Sequence, residues 1–205
     1  SGFKVKKIIN RIKLTIKSEL FEMDEHNSAT EVFIDKVKRE VSVINNENRS
    51  VSSDRNAFPC WVLIHLDKLE IDEAINNCDT ISNGDYGLDG YFFDPETETL
   101  KLYQTKFPDN PNSRVNASSI IEIKDAFTFL KEPTQNNLSE TQREVHLKII
   151  ETIELGHKIE LIAVVFGYFT DNAIQRKDSL QAELDRHYNN VLLKTIDLDD
   201  LYSTE

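Results

Sequence analysis

The sequence predicts an α/β fold: a mixed β-sheet flanked by helices, with an N-terminal helical extension. Three observations predict it. Residues 159–167 are a nearly unbroken apolar run, as a central strand buried on both faces requires. Residues 87–107 place aromatic and apolar residues on either side of polar Pro95, Glu96, Thr97 and Glu98, the pattern of two strands joined by a four-residue loop. Segments of helical periodicity alternate with these strands, which is the order of an α/β chain.

In residues 3–22, Val5, Ile8, Ile9, Ile12 and Ile16 fall at helical spacing, with Lys4, Lys6, Lys7, Arg11, Lys13 and Lys17 on the other faces. A solvated outer face on a docked helix accounts for this charged stripe, with a nucleic-acid-binding arm or a membrane-surface helix as alternatives. A second helix is expected over 29–44, with Val32, Phe33, Val37, Val41 and Ile44 inward. Residues 45–54 are polar and read as a loop. A third helix is expected to begin near Pro59, because proline suits a first helical turn, and to continue through Trp61, Leu63, Ile64 and Leu66. A further turn follows at 71–75, and 82–87 breaks the helix before the hairpin. Beyond the hairpin, 108–116 is a Pro- and Asn-rich loop, and Ser118 and Ser119 are expected to cap a helix through Leu130. Ser139 with Gln142 forms a capping-box pattern for a helix over 139–155, closed by Gly156. After the apolar strand come a polar amphipathic helix, 173–188, and a last strand, 191–196. Two regions are expected: a helical segment at 1–54 and an α/β domain at 55–205.

Composition narrows the class. The 205 residues suffice for one substantial domain, and 39% hydrophobic with 29% charged residues is ordinary for a globular protein. No apolar run approaches the roughly 18 residues that cross a bilayer, so no membrane span is expected. Ser1 and Gly2 resemble the scar of tag removal, and 197–205 ends without a closing signal, so truncation from a longer chain is expected. Cys60 and Cys78 are too few for a disulfide framework and lack zinc spacing, which reads as reduced thiols in a cytoplasmic protein. The net charge of −12 argues against binding nucleic acid by bulk charge, but not against a local groove.

The chemistry concentrates in the hairpin. If Asp94 pairs with Thr99, then Phe93 faces Leu100, Tyr91 faces Leu102 and Asp89 faces Gln104, and directly opposed residues share a face. Gln104 and Lys106 also share a face by strand alternation. A carboxylate, an amide oxygen and an ammonium thus converge at one end of an apolar ladder. Two oxygen donors suit a hard divalent cation such as Mg²⁺ or Mn²⁺, and a lysine beside them can orient water or stabilise phosphoryl charge. Gly90 is expected to leave room for a phosphate or backbone to approach. Asp85 is a second acid nearby, better read as a turn residue. His26, His65, His146, His157 and His187 do not pair at metal spacing, Trp61 reads as core, and no triad, phosphate loop or dinucleotide fingerprint occurs.

Gly87, Leu88, Asp89 and Gly90, followed by a hairpin and then Gln104, Thr105 and Lys106, resemble the active-site core of PD-(D/E)xK nucleases. The closer resemblance is to the Asp…Gln-x-Lys variant of Mrr-like endonucleases and abortive-infection phage-resistance (AIPR) proteins. It extends over about 57–201, taking in 83–90, 159–167 and 193–201. It implies a restriction-endonuclease-like core in which Asp89 and Gln104 bind Mg²⁺ or Mn²⁺ and Lys106 is the catalytic lysine. It also implies a metal-dependent endonuclease in bacterial anti-phage defence, for which DNA is the favoured substrate over RNA. One departure stands out: where members carry a glutamate early in the preceding helix, this chain has Phe58 and Pro59. Glu70 or Asp67 would be the replacement acid. The alternative from another class is a catalytically degenerate module of the same fold that binds a protein partner, and the segment 3–44 is a candidate for homodimer formation.

Overall fold

In the computed structural model, residues 29–46, 53–79, 87–133 and 138–204 are described. The expected helix over 3–22, His26 and Asp85 lie outside them. Contacts divide the chain into two units, Ser1–Arg39 and Glu40–Glu205. Residues 29–46 form helix α1.

In the larger unit, a four-stranded sheet is assembled in the order β1-β2-β4-β6. β1 (Gly90–Asp94) pairs antiparallel with β2 (Thr99–Lys106) in the predicted register, Asp94 opposite Thr99 and Tyr91 opposite Leu102. β4 (Lys158–Val165) runs parallel to β2 on one side and to β6 (Val191–Ile196) on the other. The sheet is therefore mixed, and the apolar run forms an interior strand, as expected of residues that must be apolar on both faces. A second, two-stranded parallel sheet, β3 (Arg114–Val115) with β5 (Tyr168–Phe169), was not expected from the sequence. Strands of two residues carry no periodicity to read.

Strand alternation divides the sheet into two faces. Leu100 and Leu102 of β2, Ile159, Leu161, Ala163 and Val165 of β4, and Val191 and Leu193 of β6 belong to one buried cluster. Into it pack α4 (Ser118–Lys131) through Ile120, Ile123, Phe127 and Leu130, α5 (Glu140–Glu154) through Val145 and Ile149, and α6 (Asp171–Leu184) through Leu180 and Leu184. Burial of each such side chain contributes about 1.5–3 kcal/mol. On the opposite face lie α2 (Asp54–Asp67) and α3 (Ile71–Asp79), against β1 and β2. Asp67 of α2 accepts hydrogen bonds from Lys101 Nζ (2.6 Å) and Tyr103 Oη (2.8 Å), both on that face of β2. Burial first, and the Asp67 charge next, raise the Tyr103 phenol well above its usual range.

Local signals explain the boundaries. The helix expected to begin near Pro59 begins five residues earlier, because Ser53 accepts from the Asn56 N–H and acts as N-cap. Pro59 therefore lies inside α2 and removes one intrahelical bond. Ser118 and Ser119 are not caps but first-turn residues; the Ser118 N–H is taken by Asn116 Oδ1 at 3.0 Å. The capping box of Ser139 and Gln142 forms as expected. A short α7 (Leu198–Ser203), opened by an Asp197–Asp200 capping box, follows β6. Cys60 and Cys78 are buried thiols. Among the described residues, no helix is long and apolar enough to cross a membrane.

Candidate metal-binding active site

Asp89 lies just before β1, and the structure alters its predicted pairing. Gly90 is paired with Tyr103, yet the Asp89 N–H also donates to the Tyr103 carbonyl, at 2.8 Å. Two residues of one strand thus oppose one of the other, a bulge arrangement that re-aims the side chain. Asp89 is consequently not carried opposite Gln104. Its carboxylate Oδ2 accepts from the Thr105 backbone N–H (2.7 Å) and from Thr105 Oγ1 (2.9 Å). Thr105 is the residue between Gln104 and Lys106, so the carboxylate is anchored at the middle of the Gln-x-Lys segment, at the edge of β2. Two donors on one oxygen fix its orientation.

Gln104 and Lys106 share the face of β2 that α4 covers. Gln104 is 4% exposed; its Nε2 makes a long 3.4 Å contact to the Thr105 carbonyl, and its Oε1 is buried with no hydrogen-bond partner. Such an orphan acceptor costs about 1–3 kcal/mol unless something supplies a positive partner. Lys106 Nζ pairs with Glu122 Oε2 of α4 at 2.8 Å. Glu122 was not singled out from the sequence: its place in an amphipathic helix gives no sign of which strand residue it meets. Ser119, one turn earlier in α4, is fully buried with its Oγ also unpartnered.

Two glycines shape the approach. Gly87 adopts φ +90°, and a Cβ there would come within 2.7 Å of Glu122 Cβ and 2.8 Å of its carbonyl. The chain leading to Asp89 therefore runs directly against α4, and only glycine fits. Gly90 serves a different purpose from the one expected. It is buried, and a Cβ there would meet Cys78 Sγ at 3.3 Å and Leu63 Cδ1 at 3.6 Å, so the space belongs to the α2–α3 packing and not to substrate.

The remaining acids fall elsewhere. Asp67 is engaged with Lys101 and Tyr103 on the opposite face from Gln104. Glu70 is exposed on the α2–α3 connection. Phe58 is fully buried, its ring 4.8 Å from Phe107 and 5.9 Å from Phe166. An aromatic cluster thus adjoins the end of β2 on the side where the resemblance would place a glutamate. Trp61 is buried, stacks on Phe58 and His65, and donates Nε1–H to Glu40 at 2.8 Å. Among the described residues, no group of three His, Cys, Asp or Glu side chains stands ready for a metal. The Asp89 carboxylate and the orphaned Gln104 amide oxygen, both near the end of β2, are hard oxygen donors of the kind Mg²⁺ or Mn²⁺ takes. No family model, curated protein or solved structure matches the chain.

Proposed function

We propose that this chain is a metal-dependent nuclease domain that hydrolyses phosphodiester bonds, with Asp89, Gln104 and Lys106 as its site. The observation that carries the reading is the buried, unpartnered Gln104 Oε1, on the same face of β2 as Lys106 and one residue from the backbone that anchors the Asp89 carboxylate. A cation at that oxygen removes the cost of leaving it unpaired. The mixed four-stranded sheet with helices on both faces is compatible with a restriction-endonuclease-like core.

In this reading Asp89 and Gln104 hold Mg²⁺ or Mn²⁺. The bound ion supplies Lewis-acid polarisation of a phosphoryl oxygen and a lowered pKa for water. Thr105 keeps the Asp89 carboxylate in place through two hydrogen bonds. The Lys106 ammonium orients the attacking water and offsets charge that develops on the scissile phosphate. DNA is the favoured substrate and anti-phage defence in a bacterium the favoured setting, both from the AIPR-like resemblance of residues 83–90 and 104–106.

The second reading, a module that binds a protein partner on the same fold, is favoured by one observation: the aromatic cluster of Phe58, Phe107 and Phe166 adjoins the end of β2 where the resemblance expects an acid. Incubating the protein with supercoiled plasmid, single-stranded DNA and RNA, in Mn²⁺ or EDTA, separates the two. Cleavage in Mn²⁺ that EDTA abolishes is expected, with DNA cut in preference to RNA. Folded protein that cuts none of the three would favour the binding module.

A further inference from the structure

We infer that Glu122 of α4 supplies the second carboxylate of the metal site, in place of the acid that α2 lacks; the inference rests on the nuclease reading above. Two contacts tie Glu122 to this end of β2, and α4 carries it over the β2 face that bears Gln104. Its carboxylate lies 2.8 Å from Lys106 Nζ, and both side chains are 38% exposed, at the surface rather than in the core. Its backbone and Cβ are the very atoms against which Gly87 is pressed, two residues before Asp89, so the Asp89 lead-in and this turn of α4 are held together. The buried orphan Gln104 Oε1 lies on the β2 face that α4 covers, and the orphan Ser119 Oγ is one helical turn from Glu122.

Charge gives the reason a second acid is needed. Asp89 and Lys106 cancel, so Asp89 with neutral Gln104 offers a divalent cation no net attraction. Adding Glu122 leaves one net negative charge and two carboxylates beside an amide oxygen, a set on which hard-cation affinity depends through ligand charge count. Both acids of α2 are engaged elsewhere: Asp54 accepts from Asn45 Nδ2 at 2.8 Å, and Asp67 accepts from Lys101 and Tyr103. Glu122 is paired with Lys106 in the structure; were it to ligate the metal, that pair would open and leave the Lys106 ammonium free to face the phosphate.

Calorimetric titration with Mn²⁺ of the wild type, Asp89→Asn, Glu122→Gln, Lys106→Met and the double variant Lys106→Met/Glu122→Gln tests this. Glu122→Gln is expected to weaken Mn²⁺ binding by more than about 100-fold, beyond the roughly 10–100-fold that loss of an outer-sphere partner costs. The same loss is expected in the Lys106→Met background. Unchanged affinity in Glu122→Gln, with Asp89→Asn impaired, would overturn the role of Glu122 and leave the metal site standing. A loss that disappears in the Lys106→Met background would reduce Glu122 to a counter-charge for the lysine and equally overturn it. A wild type that binds no Mn²⁺ would overturn the nuclease reading and this inference together.

Discussion

In the proposed reading, the orphaned oxygen of Gln104 costs the protein stability without metal and gains a partner with it. Its buried oxygen has no partner, and leucine of similar volume would fill the same space without that cost. Gln104→Leu is therefore expected to raise stability in EDTA by about 1 kcal/mol, read by urea unfolding. It should also abolish the stabilisation that Mn²⁺ gives the wild type by mass action. A variant less stable than wild type in EDTA would mean that the oxygen is already satisfied. At this scale residue type and spacing proposed Asp89, Gln104 and Lys106 as one site, and the structure moves the Asp89 carboxylate from Gln104 to Thr105. The sequence did not foresee the Lys106–Glu122 pair, because helical periodicity tells which face of α4 is buried and not which strand residue that face meets. Nor did it reveal that Gly87 fits against α4 while Gly90 fits against α2 and α3, since a glycine in a sequence does not say what approaches it.

Among the elements, the hairpin shows where pattern reading succeeds and stops. Alternation and turn length determine the register from Asp94–Thr99 back to Gly90–Tyr103. They do not foresee the bulge at Asp89, which depends on the Thr105 hydroxyl and backbone N–H capturing the carboxylate. The start of α2 was misjudged because Ser53 in a polar stretch outweighs proline as a starting signal. Pairing of β4 with β6 carries a pH dependence of its own. Glu160 is nearly buried on β4. Burial pushes its carboxyl upward, but hydrogen bonds from Lys158 and Lys194 outweigh it and hold it below the ordinary value of 4.5. A depressed carboxyl contributes stability that is present above its unfolded value and lost as pH falls through the folded one. Glu160→Gln should flatten the loss of stability on acidification below pH 4.5, followed by urea midpoints across the acid range. An unchanged acid slope would show that other carboxylates govern it.

Across the molecule, the order of helices and strands was readable because long, strongly periodic segments dominate the larger unit, Glu40–Glu205. The two-residue strands β3 and β5 were not, being too short to leave a pattern. The overall charge of −12 still weighs against bulk attraction to DNA, so a nuclease of this kind must rely on the end of β2 and on whatever else holds the substrate. Whether phosphodiester chemistry occurs there is tested most directly by supercoiled plasmid cleavage in Mn²⁺, comparing the wild type with Asp89→Ala and Lys106→Ala. The account predicts metal-dependent nicking by the wild type and a loss of roughly 10²-fold or more in each variant, the scale of removing one transition-state contact. Cleavage that survives both substitutions would contradict it.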